Sequence, residues 1–148
     1  MQNNKKQKTL KIKSKSEMTK LAKDLGNKAQ KGDIFLLKGS LGVGKTFFVK
    51  AFIKYFLDKN EEIPSPTFNI LKVYKTKKMK LYHLDLYRIK KEEELYELGI
   101  EDALEDGVCL IEWPELAYNF ISNRNYYEIE IKMDAKSKNK EFRIVKIK

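Results

Sequence analysis

The residues with the strongest chemical signature sit in one short run, "KGSLGVGKTFFVK", positions 38 to 50. Gly39, Gly44, Lys45 and Thr46 fit the spacing G-x-x-x-x-G-K-[ST], which describes a phosphate-binding loop. Each part has a physical reason. The glycines let the backbone wrap tightly, so that successive N–H groups point at phosphate oxygens. A helix that starts where the loop ends adds the partial positive charge of its N-terminus. Lys45 is then placed for the β- and γ-phosphates of a nucleotide, and the Thr46 hydroxyl for Mg²⁺. Ser40, Leu41, Gly42 and Val43 complete the loop and contribute through their backbone.

Such a loop also needs a carboxylate beside the metal, at the end of a neighbouring strand. Asp85 in "YHLDLYR" and Glu112 in "VCLIEW" qualify. Glu112 is the better placed for the metal, because an apolar run leads into it and carries it to the carboxyl edge of a buried strand, where ligands bind in such folds. Asp85 would then orient the attacking water, hold the metal's water shell, or pair with Arg88. The spacing alone does not decide between the two. His83, the single histidine, reads as a strand-end or packing residue more readily than a catalytic one. Trp113 reads as a cover over the site, a contact face or a core residue.

The elements that must position these groups follow from periodicity. "DIFLLKG" is a short continuous apolar run, as expected of a strand buried on both faces. Phe48, Phe52, Ile53 and Phe56 recur at helical spacing, so a helix runs from Thr46 to near Asn60. Before the loop, Leu10 and Ile12 mark a short strand. Ser14, or alternatively Ser16, caps a helix through Glu17. Met18, Leu21, Ala22, Leu25 and Ala29 line that helix, and Gly32 is its expected stop. After the loop, "PSPTF" is a turn, and "FNILKVYKT" and "KLYHLDLYR" are strands. Residues 91 to 106 form two short helical pieces broken near Gly99. "VCLIEW" is a buried strand, and "PELAYNFI" is a helix with Pro114 in its first turn. "YYEIEIKM" and "EFRIVKIK" make a terminal hairpin. Without internal repeats or a linker, the expected organisation is a frayed tail at 1–8 and one domain at 9–148. The fold class is α/β: a P-loop NTPase fold with a central mixed sheet, flanking helices and added antiparallel strands.

Composition bounds the function classes. The chain has 148 residues, a single-domain length, with 42% apolar residues and a formal net charge of +10. Its one cysteine, Cys109, lies in an apolar run and reads as a buried strand residue in a reducing compartment. No apolar run approaches the length of a membrane span, so a soluble cytoplasmic protein with no membrane partner is expected. Only three of the 31 basic residues are arginines, namely Arg88, Arg124 and Arg143. Phosphate and base recognition favours the planar arginine fork, so diffuse lysine argues more for a solvated surface than for direct RNA binding.

Four stretches in order, "GSLGVGKTFFVK", "SPTFNILKVY", "HLDLYRI" and "LIEWPE", resemble the TsaE (formerly YjeE) family over about residues 16 to 146. The resemblance implies slow hydrolysis of ATP with Mg²⁺ in tRNA threonylcarbamoyladenosine biosynthesis. It implies TsaB and TsaD as partners, with tRNA at least indirectly, and ATP turnover that resets the TsaB–TsaD complex. Carried over residue by residue, it implies a phosphate loop at Ser40–Lys45, metal ligands at Thr46 and Glu112, and a functional aspartate at Asp85. It implies a nucleotide-sensing Thr67 in "SPTF", and adenine-side contacts around Ser16, Glu17 and Thr19 and around Asn139 and Lys140. The family often has an acidic residue at Ser40, alanine at Val43 and a second threonine at Phe47. None of these departures removes the magnesium ligand.

Three other readings share the loop. A small-molecule or nucleoside kinase needs an acceptor pocket and usually lid arginines, whereas residues 89 to 107 are acidic. A GTPase needs a late N-K-x-D segment, and "NKAQ" at 27 to 30 lacks the aspartate and precedes the loop. A nucleotide-gated binding module without useful turnover differs from the favoured ATPase only in rate.

Overall fold

The computed structural model describes residues 6–57, 63 and 70–148. Its frame is a seven-stranded mixed sheet in the order β1-β7-β6-β2-β5-β4-β3. The strands are β1 (Lys8–Ile12), β2 (Ile34–Lys38), β3 (Leu71–Lys75), β4 (Lys80–Asp85), β5 (Gly107–Glu112), β6 (Tyr127–Met133) and β7 (Arg143–Ile147). Strand β2 is central and parallel to β5 and β6, and β5 is parallel to β4. The outer pairs β1–β7, β6–β7 and β3–β4 are antiparallel. The continuous apolar runs of β2 and β5 are thus central strands covered on both faces, as parallel sheets require.

Alternation along the strands sorts the side chains into two cores. Phe35, Leu37, Leu81, Leu110 and Ile129 face α1 (Lys15–Lys28) and α2 (Lys45–Phe56), where they meet Met18, Ala22, Phe48 and Phe52. Ile34, Leu36, Leu84 and Ile111 face the other way. There they pack under α3 (Glu92–Leu98), α4 (Ile100–Asp106) and α5 (Tyr118–Ile121), against Leu95, Leu104 and Ile121. Each such fully buried side chain contributes about 1.5–3 kcal/mol relative to exposure. The parity that assigns Leu110 to the α2 side assigns Glu112 to it as well. The parity of Leu81 likewise assigns His83 and Asp85 there.

Local chemistry explains where elements stop. Ser14 caps α1, accepting the Glu17 N–H at 3.1 Å, so the cap is Ser14 and Ser16 lies in the first turn. Helix α1 ends at Lys28, before Gly32, because the Ala29 N–H folds back to the Gly26 carbonyl. Helix α2 ends at Phe56, short of Asn60, with the Leu57 N–H turned to the Lys54 carbonyl. Strand β4 stops at Asp85, whose carboxylate accepts the Tyr87 N–H at 3.1 Å and starts a turn. Gly99, at φ 79°, divides α3 from α4. "PELA" forms a 3-10 turn at Pro114–Ala117 before α5 instead of one continuous helix. "SPTF" lies outside the described residues. Among the described residues, no helix is long and apolar enough to cross a membrane.

Cys109 is fully buried between β2 and β4, and burial pushes its thiol up to about 12. A thiol reagent at mildly alkaline pH is expected to leave the native protein unlabelled and to label one thiol per chain after denaturation. Rapid labelling of the native state would contradict this packing.

Candidate functional site

The loop at 39–44 leaves β2 and enters α2 through three glycines with positive φ. Gly39 is the most constrained: at φ 148°, a Cβ would stand 2.6 Å from the Ile131 carbonyl oxygen of β6 and 2.8 Å from Val43 Cγ1. The loop therefore rests directly on the backbone of β6, an approach only glycine permits. Val43 is buried and anchors the loop from below, while Leu41 at the tip is 74% exposed. Gly44, at φ 123°, precedes α2 and offers no side-chain cap. The first N–H groups of α2 are left for an anion, and the helix dipole favours one there.

Lys45 and Thr46 open α2 from this position. Lys45 is only 4% exposed. Its ammonium donates to the Gly39 carbonyl and to the Ser40 carbonyl, the latter at 3.4 Å, and lies 3.5 Å from the centre of the Trp113 ring. Burial lowers its pKa from the ordinary value, and the carboxylates of Glu112, Asp85 and Glu115 oppose that shift. The Thr46 hydroxyl donates to Glu112 Oε1 at 2.8 Å. Glu112 Oε2 meets His83 Nε2 at 2.6 Å. Asp85 stands opposite Glu112 in the β4–β5 register.

These groups converge on one cavity of about 220 Å³, lined by Leu41, Gly42, Gly44, Lys45, Thr46, Asp85, Tyr87, Glu112 and Trp113. Trp113 lies immediately after β5 in a left-handed conformation, φ 55°. Such strain costs on the order of 1–3 kcal/mol in a bulky residue and collects at functional sites. Here it turns the ring over Lys45 and against Tyr87, with ring centroids 4.9 Å apart.

Among the described residues, the other expected site residues do not line the cavity. Ser40 contributes a carbonyl to Lys45, and Val43 points into the core. Ser16, Glu17, Asn139 and Lys140 gather where α1 starts and the β6–β7 turn ends. The Asn139 amide donates to the Lys13 carbonyl at 2.8 Å, and Glu17 Oε2 accepts the Lys13 N–H at 2.7 Å. Thr67 lies outside the described residues. Arg88 is exposed and does not line the cavity, and the Asp85 carboxylate accepts the Tyr87 N–H of its own turn.

Two residues gain a place that sequence reasoning did not assign. Arg143 donates from Nε to the Val43 carbonyl at 2.8 Å and from Nη1 to the carbonyls of Lys140 and Phe142. It ties the β6–β7 turn to the loop. The only sequence signal was an arginine in a chain that otherwise uses lysine. His83 is 3% exposed and bonded to Glu112. Its signal was the two-residue spacing from Asp85, which shares its face of β4.

A threonine hydroxyl beside a carboxylate is a pair of hard oxygen donors, which suits Mg²⁺. That ion is held by one or two carboxylates together with substrate phosphates. Among the described residues, no group of three or more His, Cys, Asp or Glu side chains could hold a metal alone. The donor set thus fits a metal that arrives with a nucleotide.

A buried strand, a glycine loop and an uncapped helix within a mixed sheet define a P-loop NTPase fold. The family model described as "Threonylcarbamoyl adenosine biosynthesis protein TsaE" matches residues 12–142. The tRNA threonylcarbamoyladenosine biosynthesis protein TsaE of Rickettsia prowazekii is 49% identical over 111 residues, 75% of this chain and 77% of its own. Its counterpart in Borreliella burgdorferi is 35% identical over 132 residues, 84% of this chain and 90% of its own. The crystal structure of Bacillus subtilis YdiB superposes with a TM-score of 0.69 at 29% identity, covering 96% of this chain and 84% of that one. The chain belongs to the TsaE family.

Two outcomes are expected. Bound phosphates favour charged Lys45, whereas burial in the free protein favours the neutral form. Nucleotide affinity should therefore fall as pH rises through the lowered pKa of the free protein, with proton uptake on binding. Calorimetry in buffers of different ionisation enthalpy measures this, and Lys45→Met should abolish the uptake. Trp113 is the only tryptophan and lies over the Lys45 ammonium. Its fluorescence should change when nucleotide draws that ammonium away, and an unchanged spectrum at saturation would contradict the arrangement.

Proposed function

We propose that the chain binds ATP with Mg²⁺ at this loop and hydrolyses it slowly, in support of TsaB–TsaD in threonylcarbamoyl modification of tRNA. The observation that carries the nucleotide part is the 2.8 Å approach of Thr46 and Glu112 beside Lys45 at the uncapped start of α2. Membership of the TsaE family and the names of the relatives support the pathway. When bound, the metal would neutralise charge on the β- and γ-phosphates. Thr46 and Glu112 would hold it.

The rest falls to the chain's own groups. Loop N–H groups receive the phosphates. Lys45 exchanges its two carbonyl partners for phosphate oxygens. Asp85, on the same cavity wall, orients a water for attack. Among the described residues no arginine lines the cavity, so little is preorganised for charge developing in the transition state. Turnover is therefore slow alone and rises when TsaB–TsaD is present. In this reading the acceptor is water.

Phosphate release from ATP, measured with and without TsaB–TsaD, tests this. Faster release with the partners supports it, and equal rates count against partner control. A strict need for a small acceptor would instead establish a kinase. Lys45→Ala should lower turnover at least about 100-fold by removing charge from the β/γ-phosphates. Glu112→Gln should weaken Mg²⁺-dependent binding of a non-hydrolysable analogue more than metal-free binding. If Asp85→Asn does so instead, the two carboxylates exchange roles.

A further inference from the structure

Three polar or charged side chains are buried among the described residues: Lys45, His83 and Glu112. The loop and the proposed metal account for the first and last. His83 belongs to neither, and it does not line the cavity, so it touches no bound molecule there. Its Nε2 meets Glu112 Oε2 at 2.6 Å, while Oε1 of the same carboxylate accepts the Thr46 hydroxyl at 2.8 Å. An ionised carboxylate only accepts hydrogen bonds, and the Nε2–H tautomer of His83 is the one that supplies the donor to it.

Stability is a weak reason for such a pair, because apolar residues of similar volume often do as well in a buried position. The geometry offers a better one. His83 aligns with Leu110 in the β4–β5 register, two residues before Glu112, and both side chains lie on the α2 side of the sheet. The imidazole thus holds the carboxylate from behind. With both oxygens engaged, the carboxylate plane cannot turn, and Oε1 stays directed at Thr46.

We propose that His83 is a positioning residue for Glu112, holding Oε2 so that Oε1 remains presented with the Thr46 hydroxyl to a divalent cation. This rests on Glu112 being the metal-side carboxylate. Groups that orient metal ligands in this way are typically worth about 10–100-fold in metal affinity. They do so without contacting the ion.

The test measures binding of a non-hydrolysable ATP analogue with Mn²⁺ and with chelator, and reads the ratio of the two affinities. Gln can present an amide N–H where Nε2 stands, Asn is too short to reach, and Leu removes the donor. His83→Leu and His83→Asn should lower the metal-dependent ratio about 10-fold or more, with metal-free affinity within about 2-fold, and His83→Gln should recover most of it. In a Glu112→Gln background, His83→Asn should have no further effect on the ratio, because the two act through one bond. Should His83→Leu not fold, His83→Asn decides the matter. An unchanged ratio in His83→Asn overturns the proposal. So does an equal loss of metal-dependent and metal-free affinity, or a full additive effect beside Glu112→Gln. If Glu112→Gln leaves the ratio intact while Asp85→Asn removes it, the assignment of Glu112 fails first and this inference falls with it.

Discussion

The hydrogen bond from Thr46 to Glu112 joins the first turn of α2 to the last residue of β5 across 66 positions of sequence. It can form only if β5 lies beside β2 and its alternation turns Glu112 toward α2. A buried carboxylate is costly unless its oxygens are partnered, and here each oxygen has one partner. The parallel core, the two-sided helix cover and the placement of the loop all serve that juxtaposition. Slipping β5 by one residue would send Glu112 to the opposite face, among the apolar residues under α3 and α4.

The loop beside it is held from three directions. Below, Val43 enters the core. On one side, Gly39 abuts the β6 backbone, and Arg143 binds the Val43 carbonyl together with two carbonyls of the β6–β7 turn. A guanidinium suits this task, because its fixed fork serves several acceptors at once where an ammonium would act as a point charge. On the open side, Trp113 covers Lys45. The antiparallel strands added to one end of the sheet thus brace the loop as well as widening the sheet. They also bring the start of α1 into the same network through Asn139 and Lys13.

Much of the fold was legible in the residues. Continuous apolar runs marked β2 and β5 as central, helical spacing marked α1 and α2, and Gly99 marked the break between α3 and α4. Element ends were less legible. The stops of α1 and α2 depend on single backbone bonds, at Ala29 and Leu57, and that of β4 on the Tyr87 N–H bonded to the Asp85 carboxylate, none of which periodicity encodes. The 3-10 turn at Pro114–Ala117 follows from the left-handed Trp113 before it, a conformation no propensity predicts.

The sequence by itself determined the loop, its lysine and its threonine, because those residues are contiguous and their chemistry depends on local backbone. It also offered Asp85 and Glu112 as carboxylates at strand ends. Only the tertiary structure decided that Glu112 reaches Thr46 and that His83 stands behind it. It alone showed Trp113 capping Lys45 and Arg143 clasping the loop. Those contacts join residues 29 to 100 positions apart, and they arise from strand order, register and side-chain parity across the sheet. None of these is written in any one segment of the chain.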